Sequence, residues 1–64
     1  MNTYVELTCI ARQISLRDYF RAAYIWRFNR DATLTAFQED VEYYKEFGNL
    51  PQYVREYAKE HGYH

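Results

Sequence analysis

One cysteine and two histidines are the residues of this chain best suited to nucleophilic or metal chemistry, and their surroundings supply neither. Cys9 needs an adjacent base and an electropositive setting to become a thiolate near neutral pH. Its neighbours Leu7, Thr8 and Ile10 offer no such group, so a small buried core thiol is the expectation. His61 and His64 stand at i and i+3, but Gly62 should break a helix between them, and a zinc site needs several converging ligands. His61 instead suits the apolar side of a helix C-terminus, where a cation complements the dipole. No Gly-rich phosphate loop, Ser-centred elbow or acid–base pair is visible. No catalytic residue, metal or cofactor is therefore expected, and the chain reads as non-enzymatic.

Charge is more informative in its distribution than in its total of −1. Residues 1–31 carry five arginines against Glu6, Asp18 and Asp31, a net +2; residues 32–64 carry three basic against six acidic residues, a net −3. The arginines Arg17, Arg21, Arg27 and Arg30 alternate with Tyr19, Phe20, Tyr24, Trp26 and Phe28, a composition that can stack on bases and contact phosphates. On a helix, however, those four spread over about half the circumference and make a poor docking stripe. Internal pairing with acidic residues, their stems laid over aromatic rings, is the simpler role. The acids are better focused. Glu39, Glu42 and Glu46 fall within about 60° of one another on a helix, opposite an apolar stripe. Such a face either keeps a small protein in solution or docks on a basic partner. Asp40 flanks the stripe, where an arginine of the preceding helix could meet it.

Eight Tyr, four Phe and one Trp are the largest departure from ordinary composition. Tyr19, Phe20, Phe37, Tyr44, Tyr53 and Tyr57 are expected to fill the core. Tyr24, Trp26, Phe28, Tyr43 and Phe47 then form a surplus able to face a partner or a second copy.

These residues must be positioned by helices. Leu50, Tyr53, Val54, Tyr57, Ala58 and His61 recur at helical spacing, which predicts a helix over about 50–61 that stops at Gly62. Leu34, Phe37, Val41 and Tyr44, widened by Phe47, predict another over about 33–47, with Asp31, Thr33 and Thr35 as possible N-caps. Gly48 suits the left-handed position after it. Asn49 and Gln52 resemble a capping box, and Pro51 suits a first helical turn. Ser15 can cap a helix reaching about Asn29 that is apolar nearly all round, as a central buried helix would be.

Residues 3–13 are open to two readings. Val5, Leu7, Cys9 and Ala11 alternate as in a short strand, whereas Tyr4, Leu7, Ala11 and Ile14 follow heptad spacing and Thr3 with Glu6 resembles a capping box. The expected fold class is all-α: one compact domain of three or four helices over residues 1–64. At this length stability needs efficient packing or self-association, since one cysteine makes no intrachain bridge.

No run approaches the roughly 20 apolar residues that span a bilayer, and Met1 to Ala11 lack a basic start, so a cytoplasmic protein with no membrane role is expected. The function this favours is a protein-binding module acting as adaptor, regulator or inhibitor. It would dock Glu39, Glu42 and Glu46 on a basic, nucleic-acid-binding protein, with Tyr24, Trp26 and Phe28 as further contacts or a homodimer surface. The alternative is a nucleic-acid-binding regulator acting through Arg17, Arg21, Arg27 and Arg30 within segment 12–30.

Overall fold

The computed structural model describes residues 4–31 and 33–61, apart from the side chain of Leu34. Four helices follow in order: α1 (Tyr4–Arg12), α2 (Leu16–Phe28), α3 (Leu34–Phe47) and α4 (Gln52–Glu60). No strand occurs among the described residues, so the N-terminal alternation of apolar residues belongs to a helix. Thr3 of the suggested capping box lies outside the described residues.

α2 is the element that α1, α3 and α4 all pack against, which is what its all-round apolar sequence requires. Its Tyr19, Phe20 and Ala23 are buried with Val5 and Cys9 of α1, Phe37, Val41 and Tyr44 of α3, and Val54 and Ala58 of α4 in one continuous core. Tyr53 and Tyr57 are half-buried at its edge. The Cα radius of gyration is 10.8 Å, close to the roughly 11 Å of a compact chain this long.

α1 meets this core in an unforeseen way. Val5, Thr8 and Cys9 turn inward, whereas Tyr4, Leu7, Ala11 and Ile14, the heptad-spaced set, are all exposed, as is Ile10. Val5 and Cys9 join Tyr19 and Phe20 of α2 in the core.

The helix ends explain the boundaries. α1 closes with Gln13 in the left-handed region (φ 57°), while the Gln13 amide donates to the Ile10 carbonyl at 3.2 Å and the Ile14 amide to that of Cys9 at 3.0 Å. This is the bond pair of a Schellman turn. Ser15 caps α2 by accepting from the Asp18 amide at 3.0 Å. Gly48 closes α3 at φ 77°. The start of α4 departs from the expected capping box, because the N-cap is Pro51 rather than Asn49. A proline holds the residue before it extended, so Leu50 cannot open the helix, and the Pro51 carbonyl accepts from Val54 and Arg55 instead.

Candidate functional site

α3 positions the most distinctive surface. Its apolar stripe is anchored by Phe37, Val41 and Tyr44 in the core, which fixes the opposite face toward solvent. Glu39, Glu42 and Glu46 are all exposed there. Glu42 accepts a hydrogen bond from Gln38 Nε2 at 3.2 Å; among the described residues no arginine or lysine forms an ion pair with these three carboxylates. Tyr43 and Phe47 flank them, 52% and 59% exposed, with ring centroids 4.6 Å apart. The helix-surface neighbours of Tyr43, at i±3 and i±4, are Glu39, Asp40, Glu46 and Phe47. An exposed aromatic ring is thus enclosed by three carboxylates and a second ring.

Asp40 lies where this face meets α4. It was expected to meet an arginine of α2, but its Oδ2 accepts the hydroxyl proton of Tyr53 at 2.7 Å. Burial and this bond to Asp40 hold the Tyr53 hydroxyl protonated well above the ordinary tyrosine range. Beside the pair, Asp40, Tyr43, Asn49, Leu50 and Pro51 line an open cavity of about 310 Å³ at the α3–α4 turn. Sequence spacing alone misses this cavity, because it depends on how the Gly48–Pro51 turn folds α4 back on α3.

The aromatic residues of α2 do not form one patch. Tyr24 is half-buried and lies against Phe28 and Tyr53, at centroid distances of 4.7 and 5.8 Å. Trp26 sits roughly 200° around the helix from either of them and packs edge-on to Tyr57 and His61. Trp26 and Phe28 keep 40% and 44% of their surface exposed. α4 therefore separates the three rings into two places, each already leaning on one of its tyrosines.

The arginines also divide. Arg27 Nε lies 3.4 Å from Glu56 Oε2 of α4, and its guanidinium sits 5.5 Å from the Phe28 ring centroid. The internal pairing expected of these residues is thus made, at this one position, with α4 rather than with the acidic face of α3. Arg17 and Arg21 share an exposed face of α2 one turn apart, and Arg30 is exposed beyond the helix end. The four arginines are not brought together.

Cys9 and His61 each make contacts within the fold. Cys9 is buried and its thiol donates to the Ser15 carbonyl at 3.8 Å; burial, with Glu6 adding to it, raises its pKa. His61 stacks on Tyr57 at 4.2 Å, and its Nδ1 lies 3.0 Å from the Tyr57 carbonyl. His64 lies outside the described residues. Among the described residues no group of three or more His, Cys, Asp or Glu could hold a metal ion, and no helix is long and apolar enough to cross a membrane. Comparison with known protein families, curated proteins and solved structures gives no match.

Proposed function

We propose that this chain is a non-enzymatic protein-binding module, an adaptor, regulator or inhibitor that docks the acidic face of α3 on a basic protein partner. The observation that carries the reading is the concentration of Glu39, Glu42 and Glu46 beside two exposed aromatic rings in contact on one helix face anchored in the core. Like charges at these spacings cost an isolated helix about 0.2–0.5 kcal/mol per pair. A face that bears this cost and also exposes Tyr43 and Phe47 has the make-up of an interface, in which aromatic anchors supply contact area and charge supplies steering and specificity. The face through Tyr24, Trp26 and Phe28 has weaker support, because α4 already covers part of each ring. The nucleic-acid alternative loses Arg27 to Glu56 and retains Arg17 and Arg21 as its best contacts.

The test is affinity capture from the native host, followed by kinetics with the identified partner. The partner should present a basic surface, and association should slow as salt rises. The triple variant E39Q/E42Q/E46Q should slow it further and flatten the salt dependence. Association that is unchanged in the variant would return the face to a solubilising role. Salt-dependent binding of a single-stranded oligonucleotide, lost on R17A/R21A, would favour the nucleic-acid alternative.

A further inference from the structure

The cavity at the α3–α4 turn adds a specific receptor to the broad acidic face. Three of its features point to one kind of occupant. Asp40 supplies a carboxylate at the wall, oriented by the Tyr53 hydroxyl on Oδ2. Tyr43 supplies an exposed ring, enclosed on the helix surface by Glu39, Asp40 and Glu46. Leu50 and Pro51 supply apolar walls.

We propose that this cavity receives an arginine side chain of the basic partner, its guanidinium against the Tyr43 ring and hydrogen-bonded to Asp40, its stem along Leu50 and Pro51. The inference rests on the docking role proposed for α3 and names the side chain that anchors it. A guanidinium fits better than an ammonium for two reasons. It is planar and weakly hydrated, so it stacks on an aromatic face and still presents N–H groups at its edge. Its carbon stem also buries readily on apolar surface while the charge stays at the carboxylate. An anion is opposed by all three of these carboxylates. A neutral apolar ligand would strip water from Asp40 and return no hydrogen bond.

The experiment uses the full chain and three peptides of alternating Ala with Arg, Lys or citrulline, citrulline being the uncharged isostere of arginine. Titration is followed by amide and ring resonances in nuclear magnetic resonance. The Arg peptide should shift Tyr43, Asn49 and Leu50 saturably, the Lys peptide should bind several-fold more weakly, and the citrulline peptide should leave these resonances in place. Y43A and D40N should each weaken the Arg peptide by roughly threefold to tenfold. Tyr43 is exposed, so Y43A keeps the fold. Y53F retains the Asp40 charge and loses only its orienting bond, so it should weaken the Arg peptide less than D40N does, which separates recognition by the Asp40 charge from its hydrogen bond to Tyr53.

Equal binding of the citrulline peptide would overturn the proposal. If E39Q/E42Q/E46Q lost the Arg peptide while Y43A and D40N both retained it, the acidic face would stand as the docking surface and the cavity would not be its anchor. Absence of any binding to the unaltered chain would overturn cavity and docking face together.

Discussion

Tyr53 and Asp40 join α3 to α4 through one short hydrogen bond whose energetics depend on the phenol keeping its proton. In the unfolded chain a tyrosine ionises near pH 10, whereas burial and the bond to Asp40 hold Tyr53 protonated to higher pH in the fold. The folded state therefore keeps a proton that the unfolded chain gives up. This contribution to stability is whole below pH 10 and is lost as pH rises above it. Y53F removes the bond, at a cost of about 0.5–1.5 kcal/mol, and removes the titration with it. Thermal melts should show the variant less stable at pH 7 and the gap narrowing above pH 10. A gap that stayed constant across that range would show that Tyr53 stabilises by packing alone. Cys9 carries the same alkaline sign through its raised pKa, but it is common to both proteins and cancels in the comparison.

At the scale of elements, helix ends decide more than helix interiors. Gln13 holds a left-handed conformation that costs an L-residue about 1–2 kcal/mol and glycine nothing. Glycine also loses more entropy on folding, so the net gain from Q13G is smaller, about 0.5–1 kcal/mol. For a domain this small, that raises the melting temperature by several degrees. A lower melting temperature would mean that the Gln13 side chain contributes contacts outweighing the backbone strain.

The same turn marks where sequence reading stops. α3 and α4 were legible because each has one apolar stripe and a Gly48–Pro51 punctuation between them. The centrality of α2 followed from apolar residues spread nearly all round it. α1 was ambiguous because it has apolar residues on both sides, so periodicity cannot choose between burying Val5 and Cys9 or Leu7 and Ala11. In the fold it is Val5 and Cys9 that join Tyr19 and Phe20 in the core. Of the candidate site, the carboxylates of α3 were legible from spacing. The bond of Asp40 to Tyr53 and the cavity beside it were not, since both depend on the angle at which α4 returns.

For the whole molecule the consequence of this arrangement is cooperativity. α2 is the shared partner of the other three helices, so no pair of helices keeps a core once α2 loses its packing. A domain of 64 residues has about 3–10 kcal/mol of stability at ordinary values per residue. Val41 of α3 and Val54 of α4 are both buried, and an unpaired carboxylate at either site costs several kcal/mol. V41D and V54D should therefore each unfold the entire chain. Trp26 reports this well, because it lies on Tyr57 of α4 and on His61 just after it, away from Val41. If the fold is one unit, V41D should shift Trp26 fluorescence to that of a solvated indole and abolish helical dichroism together, although the substitution lies on α3. Retention of native Trp26 fluorescence in V41D, with partial loss of helix, would show instead that α2 and α4 stand without α3. The acidic face of α3 would then be a separately melting element carried on a two-helix core.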